Sequence, residues 1–120
     1  PWRLGIQHPR TTGELLATLE LRGRAIVTSG DYERFFMADG VRYHHIFDPQ
    51  SGQPARGCQS VSVVAASVAE ADALATAAFV LGPAAGLALL ERLEGVEGLI
   101  VAASGAVTFT PGLKDQIQWR

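Results

Sequence analysis

Short apolar and β-rich runs, separated by glycine, proline and small polar residues, fill the first half of the chain and predict β-strands, and Trp2–Ile6 alternates between hydrophobic and polar residues. The leucines between positions 15 and 21 also fit the spacing of a helix, but Arg22-Gly23-Arg24 reads as a tight connection and favours a strand. The predicted strands of this part are Trp2–Ile6, Leu15–Leu21, Ala25–Ser29, Phe35–Met37, Val41–Phe47 and Ser60–Ala66. Asp39-Gly40 lies at the tip of a predicted hairpin between the fourth and fifth strands.

The period of the pattern then changes to that of helices. The alanine- and leucine-rich run that starts at Glu70 contains no glycine or proline until Gly82-Pro83, which ends it. The elements predicted here are the helices Glu70–Leu81 and Ala84–Leu93, the strands Leu99–Ala103 and Val107–Thr110, and a tail, Lys114–Arg120, that adds a short strand or frays. The order of the elements, several strands followed by two helices and then further strands, predicts an α+β fold. We expect a mostly antiparallel sheet with two consecutive helices packed on it.

Composition narrows the class of protein. The 120 residues are 48% hydrophobic and 18% charged, which is typical of one globular domain. The net charge of −2, with Lys114 as the only lysine, gives no basic patch for nucleic acid. Cys58 is the only cysteine, so the chain has no internal disulfide. Because the chain begins with Pro1 and its only methionine is Met37, we expect residues 1–120 to be a domain or half-domain of a longer product.

Two adjacent histidines lie in a predicted strand that ends in an Asp-Pro-x-Ser-Gly turn. Side chains on a strand point alternately to its two faces, so His45 would share a face with Tyr43 and Phe47, and His44 would share the other with Ile46. One imidazole can therefore lie in a site while the other lies elsewhere. Residue type alone favours packing over catalysis for each of them. No third ligand has spacing suited to zinc, and there is no GxSxG nucleophile motif.

Asp72 and Thr76 lie four residues apart on the first predicted helix, so their side chains would stack on one face. A carboxylate and a hydroxyl are hard oxygen ligands suited to Mg²⁺. Spacing alone, however, favours an ordinary helix start with an acidic residue in the first turn. The segment Thr28–Arg34 combines small polar residues with a glycine, which fits a phosphate-binding turn or, taken alone, a plain turn.

Four segments taken together resemble the ApbE family, the FAD:protein FMN transferases. They are Trp2–Pro9, Thr28–Arg34, Tyr43–Gly52 and Ala71–Gly82, and their order and spacing fit the family. The resemblance covers essentially the whole chain but only the C-terminal part of the family's domain. It implies a fold like the C-terminal half of that domain. It also implies Mg²⁺-dependent transfer of FMN from FAD to a Thr or Ser of a target flavoprotein, with release of AMP.

The resemblance also assigns residues to roles. The implied metal ligands are Asp72, Thr76 and the Ala75 backbone, the implied catalytic residue is His45, and the residues implied to contact or surround the flavin nucleotide are Ile46, Ser29, Gly30 and Tyr32. His45 would act as the base for the acceptor hydroxyl or as a donor to the phosphate. His44 lies at a variable position of the family's motif and receives no role.

Two alternatives accompany the enzyme hypothesis. The first is a truncated, non-catalytic module that binds FAD or a protein. The second concerns assembly, because a half-domain would leave apolar surface and strand edges exposed. Such a chain would associate with the family's N-terminal half or with a second copy. The resemblance implies the bacterial cell envelope or periplasm as the compartment, with the cytoplasm as the alternative.

Overall fold

Nine strands, two helices and one short 3₁₀ turn make up the computed structural model, which describes residues 1–120. The strands are β1 Trp2–Gln7, β2 Leu15–Leu21, β3 Ala25–Gly30, β4 Phe35–Ala38, β5 Val41–His44, β6 Cys58–Ala65, β7 Glu97–Ala102, β8 Val107–Phe109 and β9 Ile117–Trp119. The helices are α1 Val68–Leu81 and α2 Pro83–Arg92, and the 3₁₀ turn is Pro111–Leu113. The predicted α+β class is confirmed, as is the strand at positions 15–21.

The strands form three antiparallel sheets. The four-stranded sheet has the order β3-β6-β7-β8, the three-stranded sheet β1-β2-β9, and β4 pairs only with β5. Every residue of the central strand β6 is buried. Val61 and Val63 belong to a hydrophobic core shared with the helices, whereas Val64 belongs to a second core shared with β1, β2 and β9. The four-stranded sheet is therefore covered on both faces, by helices on one and by a sheet on the other.

The first helix follows from its sequence. The Ser67 side chain accepts a hydrogen bond from the Glu70 amide at 3.2 Å and caps the N-terminus. Small residues then allow close packing, and Ala78 with Phe79 is fully buried. Gly82, with φ of 90°, ends the helix at the predicted place. No helix in the chain is both long enough and apolar enough to cross a membrane.

The hairpin β4–β5 differs from the rest of the fold. Asp39 and Gly40 form its tip with φ values of 50° and 75°, as the Asp-Gly signal predicts. Its large side chains are mostly exposed, including Phe36 at 63% and Met37 at 54%. The prediction that its second strand continues to Phe47 is wrong, because β5 ends at His44. The hairpin thus links β3 to a loop that contains His45.

Candidate active site

A cleft of about 290 Å³ lies where the end of β3, the loop after β5 and the exposed face of α1 meet. It is lined by Thr28, Ser29, Gly30, Glu33, His45, Ile46, Phe47, Asp72 and Thr76. Six of the eight site residues that the resemblance implied line this cleft: Ser29, Gly30, His45, Ile46, Asp72 and Thr76. Three segments that are distant in sequence therefore converge on one cavity.

Asp72 and Thr76 lie on the exposed side of α1, one turn apart, as their spacing predicts. The Thr76 hydroxyl lies 3.2 Å from the hydroxyl of buried Ser29, and this contact joins the helix to β3. Glu33 adds a second carboxylate to the lining. No group of three His, Cys, Asp or Glu side chains clusters anywhere in the chain. Carboxylate and hydroxyl oxygens, without a thiolate or a cluster of imidazoles, form a donor set that suits a hard cation such as Mg²⁺.

Ala75 does not line the cleft. Its side chain is fully buried in the core between α1 and the sheet. Successive helical residues are rotated by about 100°, so Ala75 lies about 100° around the helix from Thr76 and about 60° from Asp72, on the side that faces the sheet. Of the three predicted metal ligands, the structure brings two side chains, Asp72 and Thr76, to the cleft. The predicted contact of the Ala75 backbone with the metal stays a prediction.

Tyr32 lies next to the cleft and not in it. Its ring packs against Gly30 so closely that a β-carbon at that position would clash with it. The ring lines a neighbouring cavity of about 270 Å³ together with Arg10, Phe35 and Arg42. Burial, with smaller contributions from Glu33 and Asp31, raises the pKa of Tyr32. Tyr32 thus contacts Gly30 of the cleft wall without lining the cleft itself, and its predicted contact with the nucleotide stays a prediction.

His44 is the residue that sequence reasoning left without a role. It is 4% exposed, and its Nε2–H donates to the Ala55 carbonyl oxygen at 2.7 Å. Its Nδ1 accepts from the Ile46 amide at 3.1 Å, and its ring meets Phe79 edge to face at a centroid distance of 5.4 Å. Burial lowers the pKa of His44, against the opposing effect of the hydrogen bond to Ala55, so the neutral ring is favoured.

This anchoring sets the position of His45. The two hydrogen bonds of the His44 ring hold the chain in a bend after β5, with Ile46 buried and His45 exposed towards the cleft. The predicted alternation of faces is therefore confirmed in the burial of these residues, although the predicted strand is not. Asp48 closes the following turn by accepting from the Gln50 amide at 2.9 Å.

A second contact that sequence reasoning missed joins two distant loops. The two terminal guanidinium nitrogens of Arg10, Nη1 and Nη2, donate to the carboxylate of Asp31, each at 2.7 Å. The hydrogen bond to Asp31 raises the pKa of Arg10. Asp31 is buried and directly follows Gly30, a residue that lines the cleft. Neither residue belongs to a periodic pattern, so hydropathy gives no signal for the pair.

Comparison with known proteins gives consistent matches over nearly the whole chain. The chain is 45% identical over 119 residues to the FAD:protein FMN transferase of Treponema pallidum, a match that spans 98% of the chain and 33% of that protein. It is 35% identical over 118 residues to the FAD:protein FMN transferase of Rhodobacter capsulatus, which covers 98% of the chain and 23% of that protein. The chain therefore spans a third or less of the length of these relatives.

Solved structures agree with the sequence matches. The ApbE protein of Thermotoga maritima superposes with a TM-score of 0.88 at 41% identity, over 97% of this chain and 38% of that one. The flavinyl transferase ApbE of Pseudomonas stutzeri in its apo form gives a TM-score of 0.74 at 41% identity, over 97% and 36% of the two chains. The family model of ApbE matches residues 1–100. Sequence and fold together show that this chain belongs to the ApbE family.

Proposed function

We propose that this chain forms part of a Mg²⁺-dependent FAD:protein FMN transferase, which attaches FMN to a Thr or Ser of a target flavoprotein and releases AMP. The observation that carries the proposal is the convergence of His45, Asp72 and Thr76 on one cleft. The names of the relatives, FAD:protein FMN transferase and flavinyl transferase, support FAD as the substrate and a protein as the acceptor.

The reaction needs a base for the acceptor hydroxyl. The hydroxyl oxygen forms a bond to the phosphorus on the FMN side of the pyrophosphate, while the P–O bond to the AMP phosphate breaks and its electron pair leaves with AMP. The hydroxyl proton must be removed as this bond forms. His45 is exposed towards the cleft and carries the only imidazole in its lining, so it is placed to accept that proton.

The oxygen donors of α1 are assigned to the cation. Asp72 and Thr76 would hold Mg²⁺, with the Ser29 hydroxyl beside Thr76 fixing the orientation of that side chain. A bound Mg²⁺ neutralises the charge that develops on pyrophosphate oxygens as the anhydride bond breaks. Ile46, Ser29 and Gly30 are assigned to the nucleotide, because they supply an apolar contact and close backbone approach in the same cleft.

The test uses the full-length protein, FAD, Mg²⁺ and an apo-flavoprotein whose mature form carries threonine-linked FMN. Product is measured as flavin fluorescence on the denatured acceptor and as AMP by chromatography. His45→Ala is expected to lower kcat by roughly 10²–10⁴-fold, the usual contribution of a positioned base. Asp72→Ala is expected to raise the Mg²⁺ concentration required for activity. Glu70→Ala is the matched control, because Glu70 lies in the first turn of α1 but outside the cleft.

Unchanged transfer in His45→Ala would refute the catalytic role, and an unchanged Mg²⁺ requirement in Asp72→Ala would refute the metal role. The second candidate function is a module that binds FAD or an acceptor protein without turnover. This candidate is favoured because the chain spans only 33% of its Treponema relative. A reaction that joins two substrates requires both to be positioned, and a third of the relative's length supplies only part of such a site. FAD binding without AMP release would support this candidate.

A further inference from the structure

The ion pair between Arg10 and Asp31 lies beside the cleft, and neither residue lines it. Each guanidinium nitrogen donates to a separate carboxylate oxygen, Nη1 to Oδ1 and Nη2 to Oδ2, both at 2.7 Å. The Asp31 side chain is 9% exposed and the Arg10 side chain 36%. A bidentate pair of this kind fixes the direction of both groups as well as their separation.

Asp31 joins three elements of the fold. Its amide donates to the Gln59 carbonyl oxygen of β6 at 3.0 Å, and its own carbonyl oxygen accepts from Arg42 Nη1 of β5 at 3.4 Å. Its side chain is held by Arg10, which lies in the loop between β1 and β2. It comes directly after Gly30, the last residue of β3 and part of the cleft wall. A shift of Asp31 would therefore displace the cleft wall at Gly30 through β3 and the loop that contains His45 through β5.

We infer that Arg10 is a positioning residue that, through Asp31, holds the segment joining the β3 wall of the cleft to the hairpin that presents His45. The inference rests on the proposed FMN transfer, since it concerns the geometry of the same cleft. The hairpin β4–β5 forms a sheet of its own and exposes most of its large side chains. Apart from the buried His44 ring, directed contacts such as that of Arg42 with the Asp31 carbonyl oxygen therefore orient the hairpin, in place of the extensive core packing that orients α1.

The activity test compares Arg10→Ala and Arg10→Lys with the wild type in the full-length protein. Arg10→Ala is expected to lower kcat roughly 10–100-fold, because small misplacements of catalytic groups have effects of this size. Arg10→Lys is also slow, since an ammonium group cannot make two parallel hydrogen bonds to a carboxylate. Arg3→Ala is the matched control, because Arg3 donates to Gln118 at 3.0 Å on the exposed surface of another sheet.

Chemical rescue separates positioning from folding. Added methylguanidinium restores part of the kcat of Arg10→Ala, whereas methylammonium at the same concentration does not, because only the former has the planar pair of donors. Amide hydrogen exchange supplies a readout independent of activity. Residues 31–47 of Arg10→Ala are expected to exchange faster than in the wild type, while α1 keeps its protection. If Arg10→Ala fails to fold, Arg10→Lys carries the kcat and exchange measurements.

The outcomes are distinct. Unchanged kcat in the folded variant, a loss of kcat that methylguanidinium does not restore, or unchanged exchange over residues 31–47 each overturns the positioning role of Arg10. Absence of FMN transfer in the wild type and in Arg3→Ala refutes the proposed function instead. In that case the exchange data alone decide whether Arg10 holds the segment.

Discussion

The two sides of the cleft are built in different ways. On one side, Asp72 and Thr76 project from α1, whose inner residues are fully buried against the central sheet. On the other side, His45 follows a two-stranded hairpin whose aromatic residues are largely exposed. The first side is held by extensive apolar burial, and the second by the hydrogen bonds of His44 and the ion pair of Arg10.

Mutations on the two sides of the cleft are therefore expected to change different properties, the free energy of unfolding on the α1 side and the placement of His45 on the hairpin side. Removing apolar area from the α1 side should reduce the free energy of unfolding of the whole domain, because the hydrophobic contribution scales with the area buried. Changing the contacts of the hairpin side should affect the placement of His45 more than global stability, since local segments with few buried contacts open independently of the core.

Phenylalanine substitutions on the two sides give the largest contrast. Phe79 is fully buried between α1 and the sheet, and Phe79→Ala is expected to cost about 3–5 kcal/mol of unfolding free energy. Phe36 is 63% exposed and stacks on Tyr43 at a centroid distance of 5.2 Å. Phe36→Ala is expected to cost about 1 kcal/mol or less. Urea denaturation measures both, and equal costs would contradict the division between the two sides.

The next largest effect on the free energy of unfolding is expected from the two hydrogen bonds of the His44 ring. His44→Ala removes its hydrogen bonds to the Ala55 carbonyl and the Ile46 amide, each worth about 0.5–1.5 kcal/mol net, so the expected total cost is about 1–3 kcal/mol. The loop that presents His45 should also become mobile, so FMN transfer should fall. His45→Ala is the matched control for stability, because the exposed ring makes neither hydrogen bond. A stable His44→Ala protein with unchanged transfer would show that the anchor does not position the loop.

The pH dependence of stability tests the protonation state of His44. Because its pKa in the folded state is lowered from 6.5, the unfolded chain takes up the proton more readily. The neutral ring therefore makes its full contribution to the free energy of unfolding above pH 6.5. This contribution is lost as the pH falls from 6.5 through the pKa of His44 in the folded state. Urea denaturation between pH 7.5 and pH 5 is expected to show falling stability in the wild type and a weaker dependence in His44→Asn. Equal flattening in His45→Asn would contradict the assignment to His44.

The smallest expected effect is the coupling free energy between the side chains of Ser29 and Thr76. A double-mutant cycle with Ser29→Ala and Thr76→Val should give about 0.5–1 kcal/mol, the net value of one hydrogen bond. Thr28→Val with Thr76→Val is the control pair, because Thr28 bonds to Ser62 at 2.7 Å instead. Additivity in both cycles would mean that the 3.2 Å contact does not join α1 to β3 energetically.

Periodicity predicted most of the fold because each element carries a repeated signal. The β-rich runs of β3 and β6 and the alanine-rich run of α1 are examples, and all three elements agree with the prediction to within a few residues. The end of β5 could not be predicted in this way. The run Val41–Phe47 is strand-like in residue type up to the Asp48-Pro49 turn, but the hydrogen bonds of the buried His44 ring bend the chain before the strand can continue.

The site shows the same limit. The proximity of Asp72 and Thr76 was predictable because helical spacing places them together, whereas their role as metal ligands came from the resemblance alone. Ala75 and Tyr32 were assigned by resemblance; the side chain of Ala75 lies in the core, and the ring of Tyr32 lines a neighbouring cavity while packing against Gly30 of the cleft. The pair of Arg10 and Asp31 depends on the approach of two loops 21 positions apart, which no local pattern encodes.

The burial of Cys58 has a practical consequence for measuring such motions. Burial, with a smaller contribution from Asp31, raises the pKa of this thiol to about 11, so very little of the folded protein carries the reactive thiolate at neutral pH. The same side chain in an opened chain would have an ordinary thiol pKa and react far faster with alkylating reagents. Since Cys58 is the only cysteine, mass increase over time reports how often β6 becomes accessible, without any engineered label. The chain thus contains its own chemical probe for opening of the central sheet.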